Sequence, residues 1–185
     1  MSEHDPLYES TIASETHYEG KVITVKVDDV RLPNGKTAKR EIVHHQGAVA
    51  VLPLTEDGKM ITVRQFRKAL ERSILEIPAG KLEKGEEPLQ CAKRELEEET
   101  GYTAAHYEHL SSFYTSPGFA DELLHIYVAT GLTPGEMRPD EDEFVEVIPL
   151  TLAEAQEKHR AGEIRDAKTV LALFAWENRV LKARG

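Results

Sequence analysis

The sequence contains one cysteine, Cys91, among its 185 residues. An intrachain disulfide is therefore excluded, and the reducing cytoplasm is the compartment that fits this chain. Aromatic residues account for only 6% of the sequence, and the longest apolar run, near Ala48–Leu54, falls far short of the roughly 20 residues that a membrane-spanning helix needs. The N-terminus has no basic segment followed by an apolar core, so we expect no secretory signal and no membrane partner.

Positive charge is in deficit as well. Lysine and arginine total 23 against 33 aspartate and glutamate residues, which leaves a formal net charge of −10. Nucleic-acid-binding surfaces are normally basic, so this balance argues against nucleic acid as a partner. A hydrophobic content of 40% and a charged content of 30% are typical of a folded globular protein. The length is sufficient for one domain of ordinary size with a small appendage.

Residues 1–45 are predicted to form a strand-rich N-terminal region. Apolar and polar residues alternate along Lys21–Leu32, and Thr37–His44 follows the turn Pro33-Asn34-Gly35 as a partner strand. So few large apolar side chains cannot bury an adequate core. We therefore expect this hairpin to pack on the main domain or on another subunit.

Residues 46–185 have the pattern of a larger domain, in which strands and helices interleave without repeats. Strands are predicted at Ala48–Leu54, Met60–Phe66, Glu108–Tyr114, Leu123–Ala129 and Glu143–Ile148. Helices are predicted after Glu87-Pro88, at the capping box Thr151–Glu154 and after Asp166, whereas Pro78-Ala79-Gly80 indicates an irregular loop. The expected fold is an α/β sandwich with a mixed β-sheet, plus the N-terminal antiparallel hairpin region.

Three carboxylates are close together in the helix predicted after Pro88. Glu95, Glu98 and Glu99 stand at positions i, i+3 and i+4, so they share one face and repel one another by about 0.2–0.5 kcal/mol per pair. Stability alone gives no reason for this cluster. A divalent cation bound by that face would offset the repulsion, and oxygen ligands favour Mg²⁺ or Mn²⁺. Arg94 can pair with Glu98 at i+4 and hold that carboxylate in place.

The same stretch resembles the Nudix box, G-x5-E-x7-R-E-U-x-E-E-x-G-U, in which U is a bulky apolar residue. Every position of the box is occupied as required, by Gly80, Glu86, Arg94, Glu95, Glu98, Glu99 and Gly101, with Leu96 and Tyr102 at the U positions. A solvated acidic helix with an ordinary cap explains neither the glycines nor Glu86. The resemblance implies a Nudix α/β/α sandwich that hydrolyses a nucleoside diphosphate linked to another group.

The resemblance also implies roles for individual residues. Glu95 and Glu99 would be the main metal ligands, with the carbonyl of Ala79 as a backbone ligand, and Glu98 and Arg94 would assist catalysis. The implied cofactor is Mg²⁺, with Mn²⁺ as an alternative. Independently, a carboxylate-lined site in a chain of net charge −10 would repel a phosphate-bearing substrate unless metal ions bridge the two.

A second segment, Ser116–Glu122, resembles one subclass of the Nudix family. Its Pro117 follows Gly101 by sixteen residues, which resembles the signature of bacterial-type ADP-ribose pyrophosphatases within the family. The implied reaction converts ADP-ribose to AMP and ribose 5-phosphate. Taken alone, Pro117-Gly118 is an ordinary β-turn. The candidate substrate-binding residues are Arg40, Arg67, Ser116, Pro117, Phe119 and Glu122.

Each type of candidate suits one part of this substrate. Guanidinium groups bind phosphate oxygens bidentately, which suits Arg40 and Arg67 to the phosphates, although each is equally a surface residue on a strand. Glu122 can accept hydrogen bonds from ribose hydroxyls. Phe119 can provide an apolar wall for adenine, as can Val22 or Ile23 from the N-terminal hairpin of a second subunit.

The acidic run Asp140–Glu143 lies in a loop before the last predicted strand, where solvated charge is the default interpretation. In the enzymes that the chain resembles, a mobile loop glutamate at this place serves as the catalytic base. We assign the base to Glu141 and an additional metal contact to Glu143.

Two other functions stay open at this point. The first is a Nudix hydrolase for another substrate, such as a nucleotide-sugar, a dinucleoside polyphosphate or a damaged nucleoside triphosphate. The second is an inactive domain that binds ADP-ribose as a sensor, against which the complete set of box glutamates argues. The resembling enzymes are dimers whose N-terminal strands complete the partner's site, so we expect a homodimer formed through residues 1–45.

Overall fold

The computed structural model describes residues 5–138 and 143–184. Within these ranges the strands are β1 Ser10–Glu19, β2 Ile23–Arg31, β3 Thr37–His45, β4 Ala48–Pro53, β5 Lys59–Arg67, β6 Arg72–Glu76, β7 Ala79–Lys81, β8 Tyr102–Tyr114, β9 Leu123–Pro134 and β10 Val145–Thr151. The helices are α1 Pro88–Thr100, α2 Leu152–Arg160 and α3 Ala167–Arg184, with a short 3₁₀ helix at Lys68–Leu70. None of these helices is long and apolar enough to cross a membrane.

The chain divides into two compact units. The first comprises the residues up to Gly47 together with Tyr114–Leu123, and the second comprises Ala48–Phe113 and the residues from Leu124 onward. The first unit is built on an antiparallel sheet in the order β1-β2-β3. The expected hairpin corresponds to β2 and β3, and its turn uses Gly35 with a φ of 82°, a conformation that favours glycine.

The second unit contains two further sheets, with strand orders β7-β4-β9-β8 and β10-β5-β6. Because β4 is parallel to β9 and antiparallel to β7, the first of these sheets is mixed, as the sequence predicts. All six residues of β4 are buried. A strand covered on both faces is apolar throughout, which explains the uninterrupted run that begins at Ala48.

Alternate residues of β4 enter two different cores. Val49 and Val51 pack with the buried stripe of α1, which consists of Cys91, Ala92 and Leu96. Ala50 and Leu52 belong to a second core with Ile126 of the neighbouring strand β9, Met60 and Leu150 of the other sheet, and Leu173 and Trp176 of α3. The fold is therefore an α/β sandwich, and this layering fixes the orientation of α1 on the sheet.

The helix ends follow the local signals in the sequence. Pro88 is the first residue of α1, and Gly101 ends that helix with a φ of 72°. Thr151 and Glu154 make the reciprocal hydrogen bonds of a capping box at the start of α2. Asp166 caps α3 through a hydrogen bond from a backbone N–H in its first turn.

Three predictions of secondary structure are wrong. Residues 79–81 form strand β7 rather than an irregular loop, because Ala79 pairs with Ala50 of β4. Strand β8 begins at Tyr102, well before the predicted position, and β6 has no predicted counterpart. Strand β7 forms through its pairing with β4, whose partner residues lie 29 to 33 positions earlier, and β6 forms through its pairing with β5. A local pattern does not reveal such pairing.

Candidate active site

Helix α1 has two buried carboxylates. Its stripe at Ala92 and Leu96 faces the four-stranded sheet, and Glu95 and Glu99 lie next to that stripe, with 8% and 2% of their surface exposed. Glu98 lies further round the helix and is half-buried. The spacing that places the three glutamates on one face thus also puts two of them at a packed interface, where charge is costly.

Strand β7 lies against these carboxylates. The backbone N–H of Ala79 donates a hydrogen bond to Oε2 of Glu99 at 3.0 Å. The next residue is Gly80, and a Cβ at this position would collide with the carboxylate of Glu95. The first glycine of the box therefore provides the space that the Glu95 side chain occupies.

Arg94 holds the acidic cluster together through its guanidinium group. Nη1 donates to Oε1 of Glu95 at 2.7 Å and to Oε2 of Glu98 at 3.0 Å. Nε and Nη2 donate to the two oxygens of Glu86 at 3.1 and 3.0 Å. These bonds from Arg94 lower the pKa of Glu86 to about 2. The pairing expected between Arg94 and Glu98 is present, and Glu86 serves to orient the arginine.

Ionisation of the two buried carboxyl groups is unfavourable. Burial raises the pKa of Glu99 to about 8, and the charges of Glu95 and Glu143 contribute in the same direction. Burial also raises the pKa of Glu95 against the opposing effect of Arg94. Glu143 is far from α1 in the sequence, yet its charge acts on both buried carboxylates. The tertiary structure thus brings Glu143 close to the acidic face of α1.

The chemistry of this donor set fits a hard divalent cation. Glu95, Glu99 and Glu143 offer only oxygen ligands, and a cation next to the buried carboxylates would stabilise their ionised forms. Within residues 5–138 and 143–184, no three acidic, histidine or cysteine side chains are already arranged to hold an ion. The predicted base, Glu141, lies outside the described residues.

Arg67, a predicted substrate-binding residue, is the last residue of β5, in the same unit as α1. Its Nε and Nη2 donate to the two carboxylate oxygens of Glu76 at 2.6 and 2.8 Å. The charge of Glu99 contributes to raising the pKa of Arg67, so the guanidinium lies near the acidic face of α1. Glu76 and its second cationic partner, Lys168, are not among the site residues predicted from the sequence. A single glutamate inside the apolar segment Ile74–Ile77 was the signal that could have found them.

The segment 115–122 belongs to the other unit. The backbone carbonyl of Ser116 accepts a hydrogen bond from the N–H of Phe119 at 3.1 Å, so Pro117 is the second residue of a β-turn. Asp121 anchors the segment to β3, because its carboxylate accepts a hydrogen bond from the N–H of His45 at 2.8 Å. The turn is therefore tied to the sheet, and its role in substrate binding stays a prediction.

The remaining candidates in that unit already have partners. Arg40 donates to both carboxylate oxygens of Glu9, at 2.8 and 2.6 Å. Glu122 accepts a hydrogen bond from the hydroxyl of Thr115 at 2.5 Å. Phe119 is exposed, which is compatible with a stacking surface. Substrate binding by these residues stays a prediction.

Cys91 is a packing residue. Its side chain is fully buried in the core between α1 and β4. Burial raises the pKa of its thiol to about 12. Because only the thiolate is reactive, this cysteine is not a nucleophile.

Comparisons with known proteins agree with the motif. A family described as NUDIX domain matches residues 44–173, and a family described as nucleoside diphosphate sugar hydrolase N-terminal domain matches residues 9–43. The chain therefore belongs to the Nudix family, which confirms the family and the enzyme class that the box predicts. Nudix hydrolases generally need a divalent metal ion. A nucleotide substrate is consistent with the relatives of this chain that are described next.

Individual relatives are similar over nearly the whole chain. The ADP-ribose pyrophosphatase of Bacillus subtilis (strain 168) is 59% identical over 169 residues, which cover 90% of this chain and 91% of the relative. The methanol dehydrogenase activator of Bacillus methanolicus is 57% identical over 167 residues, with 89% and 90% covered. A crystal structure of an ADP compounds hydrolase superimposes with a TM-score of 0.83 at 26% identity and covers 97% of each chain.

Proposed function

We propose that this Nudix enzyme hydrolyses the diphosphate of ADP-ribose to AMP and ribose 5-phosphate. The observation that carries the proposal is the complete acidic face of α1, held by Arg94 and by β7. The relative that is 59% identical is an ADP-ribose pyrophosphatase, and the similar crystal structure is of an ADP compounds hydrolase. High identity over nine-tenths of both chains favours a shared substrate class.

The proposed cofactor is Mg²⁺, with Mn²⁺ as an alternative, and it would neutralise the diphosphate and stabilise charge on the reacting phosphoryl group. The residues that would hold it are Ala79, Glu95, Glu99 and Glu143. Arg94 keeps Glu95 and Glu98 in position through its hydrogen bonds. We assign the general base to Glu141, with assistance from Glu98, because a loop carboxylate can accept the proton of the attacking water.

The remaining candidate residues would bind the substrate itself. Arg67 is suited to an oxygen of the diphosphate, because a guanidinium donates several hydrogen bonds in a fixed geometry. Arg40 would bind a phosphate, Glu122 would accept hydrogen bonds from ribose hydroxyls, and Phe119 would stack on adenine. The turn at Ser116 and Pro117 would position Phe119 and Glu122 for the substrate.

We infer that the enzyme works as a homodimer, with residues 1–45 as the dimer-forming region and residues 46–185 as the catalytic domain. Strand β1 is at the edge of its sheet, and nine of its ten residues are exposed, including the apolar Ile12 and Tyr18. A long exposed edge with apolar side chains favours association with another chain. A cytoplasmic location belongs to the same proposal, since the single cysteine is buried as a free thiol.

The experiment that tests the reaction is a substrate panel with the purified full chain. ADP-ribose, ADP-glucose, GDP-mannose, diadenosine polyphosphates, NADH and nucleoside triphosphates are assayed with Mg²⁺, with Mn²⁺ and with EDTA, and the products are identified by chromatography. We expect the highest kcat/KM for ADP-ribose, with AMP formed only when metal is present. A clear preference for another compound would refute the assigned substrate. Binding of ADP-ribose without turnover would favour the alternative of an inactive domain that binds ADP-ribose as a sensor.

One observation favours a second candidate function. The relative that is 57% identical is a methanol dehydrogenase activator, so this chain is also a candidate activator of a dehydrogenase. Methanol oxidation by a methanol dehydrogenase is measured with the chain added and with its Glu95→Gln variant added. Stimulation by the wild-type chain but not by the Glu95→Gln variant would show an activator function that depends on the hydrolase site. If neither protein stimulates methanol oxidation, the activator function is excluded.

A further inference from the structure

A buried carboxylate outside the Nudix box has two cationic partners. Glu76 is only 2% exposed and is flanked in β6 by apolar neighbours. It accepts two hydrogen bonds from Arg67, at 2.6 and 2.8 Å, and a third contact from the ammonium of Lys168. A buried carboxylate without such partners would be strongly unfavourable. Both oxygens of Glu76 are therefore fixed by cations from two other elements.

The first turn of α3 fixes the position of Lys168. Its ammonium lies 3.0 Å from Asp166, the residue that caps α3. The hydroxyl of Thr169 donates to Asp166 at 2.6 Å and accepts a hydrogen bond from the backbone N–H of Ile77 at 2.9 Å. The end of β6 and the start of α3 are thus joined by a backbone contact as well as by the ion pairs. Lys168 has little freedom to move relative to Glu76.

This arrangement leaves one edge of the Arg67 guanidinium available. Nε and Nη2 donate to Glu76, and among the described residues Nη1 has no hydrogen-bond partner. The side chain is 39% exposed, and the charge of Glu99 acts on it. Nε and Nη2 of Arg67 are therefore fixed by Glu76, while Nη1 lies on the opposite side of the guanidinium and faces away from Glu76.

Stability alone does not explain these buried charges. Well-packed apolar residues in place of a buried ion pair are often neutral or stabilising, whereas a fixed ion pair gives a defined geometry. A second cation on Glu76 would prevent its carboxylate from rotating with the arginine. A substrate diphosphate near Glu99 would require a guanidinium whose position does not change when the phosphate binds.

We propose that Glu76 and Lys168 are positioning residues that hold Arg67 for the diphosphate of the substrate. Lys168 and Glu76 do not touch the substrate in this proposal; they act through Arg67. The inference rests on the proposed function, since it assigns a phosphate ligand in the same site.

The test is a double-mutant cycle on kcat/KM with Arg67→Met and Lys168→Met in the full chain. Lys158→Met is the matched control, because Lys158 pairs with Glu163 at 2.8 Å on the surface of the same unit. We expect Lys168→Met to lower kcat/KM by about 10- to 100-fold. In the Arg67→Met background the same change should have an effect of less than about threefold, because no guanidinium is left to position. Lys158→Met should stay within twofold of the wild type.

Further variants keep the result interpretable if Lys168→Met folds poorly. Lys168→Arg keeps the charge and should recover most of the lost activity, and Glu76→Gln keeps the shape of the carboxylate and should reproduce the loss. An undiminished effect of Lys168→Met in the Arg67→Met background would overturn the proposal, as would kcat/KM within twofold of the wild type for Lys168→Met.

The wild type is assayed first with the substrate panel, and the cycle is run on the preferred nucleoside diphosphate derivative. A preference for a compound other than ADP-ribose then refutes the assigned substrate alone. Absence of any diphosphate hydrolysis refutes both proposals.

Discussion

The two buried glutamates of α1 show how burial determines the chemistry of a side chain. Glu95 and Glu99 lie against β7 and the core, and burial raises the pKa of both carboxyl groups. Without a cation this arrangement opposes folding at neutral pH, because ionised groups lose their hydration. A site built in this way has a cost in stability, which the proposed metal ion would offset.

Removing one of these charges should separate activity from stability. We expect Glu95→Gln and Glu99→Gln each to lower metal-dependent turnover by several orders of magnitude, because a neutral amide is a much poorer cation ligand. Without metal, the free energy of unfolding should stay equal or rise slightly, since one repulsive pair is removed. Steady-state kinetics and urea unfolding give the two quantities. Glu97→Gln, an exposed residue of the same helix, is the control, and near-normal turnover of either site variant would contradict the assignment.

The Glu86–Arg94 pair leads to a prediction about pH. Hydrogen bonds from Arg94 lower the pKa of Glu86 in the folded state to about 2, below its value in the unfolded chain. The stabilisation is therefore fully present above the unfolded pKa of about 4.3 and is lost as the pH falls towards 2. We expect Glu86→Gln to lower the free energy of unfolding by about 1–3 kcal/mol at pH 7.

Urea unfolding at pH 7, 5, 4 and 3 measures this difference between the variant and the wild type. The difference should shrink below pH 4, as Glu86 of the unfolded chain becomes protonated. Glu83→Gln, an exposed neighbour, should show no such trend. A difference that is constant over the whole range would mean that Glu86 is not held by a charged hydrogen bond.

At the scale of elements, signals that act within one turn predict the structure well. The start of α1 at Pro88, its end at Gly101 and the cap of α2 at Thr151 depend on nearby atoms only, and all three are present. Strands β6 and β7 have no such signal, because they form by pairing with other strands. The partner residues lie 5 to 13 positions away for β6 and 29 to 33 positions away for β7. The sequence also suggests a loop at Ala79, where pairing with β4 forms a strand.

The capping box of α2 allows an isolated test of one local signal. Thr151→Ala removes the side chain that accepts from the N–H of Glu154, which should cost about 1 kcal/mol of unfolding free energy. Glu154→Ala removes the reciprocal bond to the N–H of Thr151. The double variant should lose less than the sum of the two single losses, because the bonds belong to one motif. Because α2 carries none of the proposed site residues, kcat/KM of all three variants should equal that of the wild type. Additive losses in urea unfolding would mean that the two bonds act independently.

For the whole molecule, the edge strand β1 of the first unit carries exposed apolar side chains. Ile12 and Tyr18 of β1 are both about half exposed or more. Exposed apolar side chains on an edge strand support the proposal that residues 1–45 form a dimer interface.

A charge placed on that strand should disrupt the proposed dimer. We expect the wild type to sediment with about twice the chain mass of 20.8 kDa and Ile12→Glu to shift towards the monomer. Burying an unpaired carboxylate in an interface is unfavourable, which is the physical reason. Leu181→Glu, an exposed apolar position on α3, is the control. A wild-type monomer would contradict the dimer, and a dimeric Ile12→Glu variant would contradict the use of β1.

By itself, the sequence determined the family, the acidic face of α1, the ends of the helices and the mixed α/β fold. These features depend on spacing along a single helix or strand, where 3.6- and 2-residue periods leave a visible pattern. Only the tertiary structure decided that Gly80 makes room for Glu95, that Glu143 acts on α1, and that Arg67 is held by Glu76 and Lys168. Those contacts join segments that are far apart in the chain, so the burial and charge that give them their chemistry arise only when the elements pack.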